Sequence, residues 1–247
     1  MSRKLNLCME YPYAYETHLH TNKASACGRS TPEEMAYACK EAGYTGIFVT
    51  EHFFYGNTSI DRELSWKEWV QGYCQSYELA KRTGDEIGLQ VFFGWEASYQ
   101  GTDFLVYGLD QEWLIAHPQI RDASIEEQYA LVHADGGMVI HAHPFREEFY
   151  IPEIRLFPEY VDGVETLNAS HVPKYGPQVG GSFDRQAEAY AQKYNFPQTA
   201  GSDIHSVDLL GGGMAFQNKL NNIQDYMQAV KNRSGMLLPL DPAFFTE

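Results

Sequence analysis

The chain has 247 residues, 44% of them hydrophobic and 21% charged, and contains no Gly/Ser-rich linker or low-complexity tract; a compact fold with one sizeable core is expected and disorder is excluded. A formal net charge of −15 excludes a general binder of nucleic-acid backbones, which needs a basic surface, so no stable nucleic-acid partner is expected. No apolar run approaches membrane-spanning length, and Cys8, Cys27, Cys39 and Cys74 form neither a C-x-x-C pair nor a dense framework, so the expectation is a cytoplasmic protein with reduced thiols and no membrane partner, a single domain over residues 1–247.

In chain order, Thr17 to Thr21 reads as a short strand leading into a loop from Asn22 to Arg29. Ser30 or Thr31 caps the next helix, Pro32 lies in its first turn, and Gly43 stops it. The apolar strand from Thr45 to Thr50 exits on Glu51 and His52. Helical spacing from Trp66 to Arg82, with Gly84 as its expected stop, precedes a strand from Leu89 to Phe93 that delivers Glu96. Phe104 to Tyr107 is a further strand with Asp103 at its start. A helix opens at Ser124 and closes at Gly136-Gly137, and the strand Met138 to Ile140 then delivers His141 and His143. Val161 to Leu167 is a strand ending near Asn168. A helix from Phe183 to Tyr194 leads to Gln198 to Ala200, whose exit carries Asp203 and His205; Met214 to Phe216 and a last helix from Ile223 to Asn232 follow.

This alternation predicts an α/β fold with a largely parallel sheet. About seven strand-helix units are counted, short of the usual eight, so the expected architecture is a distorted or open TIM-like barrel. Most chemically capable residues fall just beyond strand ends, which converge on one face of such a barrel. Residues two apart in an extended strand point to the same side, so His18 and His20 can reach one ion together, as can Asp203 and His205. Mixed imidazole and carboxylate donors suit zinc, manganese or iron.

The ordered set His18-Leu19-His20-Thr21, Thr50-Glu51-His52, Gly94-Trp95-Glu96, Ala142-His143-Pro144 and Gly201-Ser202-Asp203-Ile204-His205 resembles the PHP family, named for polymerase and histidinol phosphatase. The resemblance runs from residue 16 to about 216 and implies a distorted (β/α)7 barrel holding two or three divalent ions, in a family with many phosphoesterases. It implies that His18, His20, Glu96 and Asp203 hold one ion, that Glu96 bridges to a second ion held also by His143, and that His52 and His205 serve a third. The chain departs from the family pattern at Glu16, where an Asp is common, and in the loop Ala24 to Gly28. There Cys27 either supplies a thiolate, which favours zinc, or is a small residue before a turn. Asp103 stands where a second-ion ligand is often found, and is either that ligand or a surface carboxylate.

These residues imply a metal-dependent phosphoesterase acting on a small phosphorylated substrate: a metal-bridging hydroxide attacks phosphorus, and His52, His205 or water protonates the leaving alcohol. Arg146 and Arg29 are candidates to grip phosphate through planar bidentate contacts. His141, expected on the same strand face as His143, and Asn168 are candidate substrate contacts, and His171 can line the pocket. The aromatic insert from Phe53 to Trp69 is either a substrate-selecting lid or an ordinary packed loop. Two readings stand beside the phosphoesterase: an amide or ester hydrolase using the same hydroxide, and a catalytically degenerate metal-binding domain.

Overall fold

A computed structural model describes residues 4–238 and 245–246. The main sheet is built from β2 (Tyr13–Leu19), β3 (Gly46–Val49), β4 (Gln90–Tyr99), β5 (Thr102–Tyr107), β6 (Met138–Ala142), β7 (Gly163–Asn168), β8 (Gln198–Gly201), β9 (Gly213–Phe216) and β10 (Met236–Leu238), and its order is β10-β9-β2-β3-β4-β5-β6-β7-β8. A separate two-stranded ribbon pairs β1 (Lys4–Leu5) with β11 (Phe245–Thr246). Helices α1 (Pro32–Ala42), α2 (Trp66–Ile87), α3 (Gln111–Ala116), α4 (Ile125–Ala134), α5 (His171–Tyr194) and α6 (Ile223–Lys231) are interleaved with the strands.

The sheet curls into a nearly closed barrel. On the free edge of β2, β9 pairs antiparallel with Tyr13 to Tyr15, while farther up the same strand Leu19 meets Ile204, just past β8, through a parallel bridge. His20 N donates to Ile204 O at 2.9 Å, so the first and last parallel strands are tied together where both carry site residues.

The distortion foreseen from the sequence has a specific form. No helix separates β4 from β5; the two make an antiparallel hairpin through Gln100 (φ 52) and Gly101 (φ 84), and β5 pairs antiparallel with β6 as well. Because β5 runs backwards, its first residues lie at the same end of the barrel as the last residues of its neighbours. β4 is also longer than predicted, which places Glu96 inside a strand rather than beyond one.

Local signals account for most helix ends. Thr31, Ser65 and Ser124 each form a capping box with the Glu three residues on, and α2 runs past Gly84 to stop at Gly88, φ 70. Gly84 has a different role, since a Cβ there would lie 2.6 Å from Leu89 O, so this glycine lets helix and strand approach closely. α5 begins well before the predicted Phe183 and is broken at Gly176 (φ 80), ahead of Pro177, which has no N–H to donate.

Inside the barrel, Tyr15, Phe48, Leu105, Tyr107, Ile140 and Met214 form an apolar floor closed from below by Tyr226 and Val230 of α6. Burying each such side chain contributes roughly 1.5–3 kcal/mol, which fixes the floor and leaves the opposite end for polar groups. The insert after His52 is packed: Phe53 and Phe54 are buried against Trp66, Trp69 and Tyr73, and Trp66 and Trp69 stack at 5.5 Å. Among the described residues no helix is long and apolar enough to cross a membrane.

Candidate metal centre

Above the apolar floor, strands and the segments just beyond them deliver His18, His20, His52, Glu96, His143, Asp203 and His205 to one place. Glu96 is at the middle: its Oε1 is 3.3 Å from His18 Nε2 and 3.0 Å from His143 Nε2, and its Oε2 is 2.5 Å from His52 Nδ1 and 3.6 Å from His20 Nε2. Asp203 Oδ1 closes the ring at 3.2 Å from His20 Nε2 and 3.6 Å from His18 Nε2. Two of these side chains are aimed by unusual backbone, His143 at φ 28 and Asp203 at φ 51. Such conformations cost on the order of 1–3 kcal/mol and persist where the surroundings enforce them.

The far side of each leading histidine is anchored. His18 Nδ1 lies 2.9 Å from Glu165 Oε1, and Glu165 Oε2 accepts from the amide of His143 and from Asn168 Nδ2, both at 3.2 Å. His20 Nδ1 lies 3.2 Å from Ser25 Oγ, which donates to Glu51 Oε2 at 2.5 Å. Glu16 Oε1 accepts from the amides of His18 and Ser202, each at 2.9 Å, and so staples β2 to the Asp203 turn. These contacts fix the two rings so that Nε2 of each faces the cluster, an arrangement typical of metal-binding histidines.

Five buried atoms, His18 Nε2, His20 Nε2, His52 Nδ1, Glu96 Oε2 and Asp203 Oδ1, make no hydrogen bond of acceptable geometry although they face one another. Uncompensated burial of so many polar atoms is costly, and a divalent ion among them would satisfy them together. Among the described residues, four groups have donor atoms close enough to share an ion: His18/His20/Glu96, Glu96/Asp103/His143, His18/His143/Glu165 and His20/His52/His205. The donor set fits a divalent ion.

Electrostatics follows from burial and charge. Burial pushes Glu96 up, but His52 and His18 outweigh it and hold the carboxyl well below its ordinary value. Asp203 is likewise pushed up by burial and brought well below the ordinary range by His18, His20 and Arg146. Burial, with the neighbouring His52 and His205, drives His20 well below its usual value, so its ring is neutral. Burial lowers His18 and His52, but the carboxylates around them outweigh it and hold both well above the ordinary value, so an ion entering the cluster would displace their protons.

The remaining predicted residues divide. Asp103 joins Glu96 and His143 because of the backward run of β5. Arg146 is largely buried, its guanidinium 2.7 Å from Asp203 Oδ2 and 3.3 Å from Asp103 Oδ2. Cys27 is half-buried with Sγ 3.2 Å from His52 Nε2; burial raises its pKa, but hydrogen bonds with His205 and His52 bring it down to about 6. Arg29 is exposed, and its amide donates to His205 O at 2.7 Å. Asn168 is buried, its amide on Glu165 and its oxygen accepting from Ser170, so it braces the centre from behind.

His141 does not share the face of His143. The positive φ of His143 breaks the strand alternation, and His141 stays on the outer face, stacked on Phe104 at 4.9 Å with neither ring nitrogen bonded. His171 is buried, with Nδ1 2.7 Å from Asp184 Oδ1 and its ring 6.4 Å from that of His143. Glu165 and Glu51 went unrecognised as site residues; the available signal was an acid within or just beyond an apolar strand, Glu165 among Val164 and Leu167 and Glu51 after Val49.

A family model described as PHP domain matches residues 16–200, and one described as PHP-associated matches residues 181–234. No curated protein matches significantly in sequence. Among solved structures, the chain is similar to a two-domain protein from Bacteroides vulgatus containing a predicted PHP-like metal-dependent phosphoesterase, with 16% identity, a TM-score of 0.66, and 96% of this chain and 67% of that chain covered. It is also similar to PsfC from Pseudomonas syringae, with 16% identity, a TM-score of 0.58, and 94% and 95% of the two chains covered. An amidohydrolase from Chromobacterium violaceum with bound sulfate and no metal shares 15% identity at a TM-score of 0.56, over 93% of this chain and 99% of that one.

Proposed function

The chain belongs to the PHP domain family, and on that premise we propose that it is a metal-dependent phosphoesterase acting on a small phosphorylated substrate. The observation that carries this reading is the set of five unpartnered, buried donor atoms around Glu96. In this proposal His18, His20, Glu96 and Asp203 hold one divalent ion, Glu96 with His143 and Asp103 a second, and His52 with His205 line a third position. Bound divalent ions supply Lewis-acid charge for a phosphoryl oxygen and acidify water for attack on phosphorus.

The chain's own groups do the rest. Glu165 and Ser25 hold the two leading imidazoles in the orientation that exposes Nε2 to the centre. The Glu96 carboxylate, ionised by its histidine neighbours, sets the spacing of the first two positions. Arg146 is the phosphate grip: once the charge on Asp203 and Asp103 is balanced by ions, its planar N–H groups can turn to the substrate's non-bridging oxygens. With His52 and His205 engaged in the cluster, the leaving alkoxide takes its proton from water.

Removal of the Arg146 contact tests this directly. Arg146→Gln is expected to raise KM for phosphate esters about 10–100-fold, the weight of a charged hydrogen-bond pair, with a smaller effect on kcat. The second reading, amide or ester hydrolysis, draws on the amidohydrolase similarity. A parallel assay of phosphomonoesters and N-acyl amino acids separates the two: phosphate release supports the phosphoesterase, and acyl release alone replaces it.

A further inference from the structure

We propose that the seam of the barrel holds a second binding site, apart from the metal cluster, for a small amphipathic anion: a carboxylate carried on a medium-length apolar chain.

The site arises where the sheet fails to close. β8 and β10 are its two end strands, and among the described residues no backbone ladder joins them. Beside the lower end of the barrel this seam opens into a cavity of about 450 Å3, bordered by α5, α6, β8, β9 and β10. That volume is in the range of small-molecule sites. Ala191, Phe196, Met214, Ala229, Val230 and Leu237 supply an apolar wall, and the alanine on each helix leaves space that a larger side chain would fill. A Cβ on Gly235 would lie 2.6 Å from Met214 Cε, so glycine lets the chain cross that methyl closely on its way from α6 into β10.

The polar part of the lining has one sign of charge. Among the described residues no acid lines the cavity, although the chain carries 33 Asp and Glu. Arg233 does line it, held in the left-handed region at φ 54; its guanidinium donates to Asn195 O and, among the described residues, meets no carboxylate. Both α5 and α6 end at this rim, and their terminal carbonyls bring a partial charge of about −0.5 each. Lys193 and Lys231 in the last turns of the two helices offset it, which leaves the charge of Arg233 in surplus. Gln198 adds a second donor: its Oε1 accepts from Thr166 Oγ1 at 3.0 Å, so its Nε2 remains for a ligand. A guanidinium and an amide beside an apolar wall select one anionic head on an apolar body. The head takes the planar N–H groups of Arg233, and the body displaces water from Met214, Val230 and Leu237.

The test titrates the full chain with decanoate, and with decanol as its neutral counterpart, below the concentration at which either self-associates. Binding is read by calorimetry and by NMR of protein labelled at the methionine methyls. Wild type is expected to bind about one decanoate per chain saturably. The Met214 methyl signal, assigned through Met214→Leu, should shift, while that of the exposed Met9 should not. Arg233→Ala is expected to weaken decanoate binding about 10–100-fold and decanol binding by less than about 2-fold. Wild type that binds no decanoate, binding that leaves the Met214 methyl unmoved, or equal decanoate affinity in Arg233→Ala overturns the proposal. No readout involves metal or phosphate release, so the outcome is independent of the phosphoesterase reading.

Discussion

Glu165 shows how much of a metal centre lies one residue behind the donors. Its carboxylate holds the ring of His18 and the amide of His143 together, so Glu165→Gln keeps the shape but removes the charge that orients and polarises the imidazole. Titration calorimetry with Mn2+ or Zn2+ should find affinity lower by about 10–100-fold in a variant with an unchanged circular dichroism spectrum. Wild-type affinity would make Glu165 a bystander. His141 illustrates the opposite case, a histidine that burial and His143 push down to about 3 and that therefore stays neutral in the fold. The unfolded chain takes up a proton here below about 6.5 and the folded chain resists until about 3, so stability falls as pH drops through that window. His141→Leu should remove a pH-dependent loss of order 3 kcal/mol between pH 7 and pH 4, read as a flatter acid limb in urea denaturation.

Elements, rather than residues, decide where the donors meet. The strand-helix alternation was readable from caps and periodicity: Thr31 and Ser124 begin helices as their capping-box partners dictate and Gly43 ends one in the left-handed region, whereas α2 passes the expected stop at Gly84 and ends at Gly88. The reversal at Gln100-Gly101 was not readable as a reversal, because a two-residue turn between apolar stretches leaves strand direction open until pairing is known. That reversal decides the role of Asp103, which seemed equally suited to surface and site. Likewise the side of the strand on which His143 points depends on a single left-handed φ that no spacing rule encodes. Gly201, at the last residue of β8, is packed hard against the centre: a Cβ would lie 2.4 Å from His18 Cβ and 2.5 Å from Glu165 Oε1. Gly201→Ala should cost about 1–3 kcal/mol in denaturant melts and weaken metal binding more than Glu165→Gln does, since it displaces both partners of that bond.

For the whole molecule, the ligand set reads as a division of labour between the two ends of one barrel. The lower end is closed by aromatic and aliphatic packing and supplies rigidity; the upper end gathers acids and imidazoles whose burial a cation among them would compensate. The ordered histidine and carboxylate motifs made this centre legible in the sequence because most of them sit at or near strand ends, whereas the bracing acids Glu165 and Glu51 lay within or just beyond apolar strands. Charge fits the proposed reading: on a chain of net −15, bound ions and Arg146 would supply the local positive potential that a phosphate group needs. Phosphate release from a small phosphoester, measured while chelator-stripped protein is titrated with Mn2+, Zn2+ or Fe2+ and with Glu96→Ala run alongside, tests the central claim most directly. The account predicts activity that is absent without metal, rises to a plateau at roughly two to three equivalents per chain, and never appears in Glu96→Ala. Phosphate release that is indifferent to metal, or equal in Glu96→Ala, would contradict it.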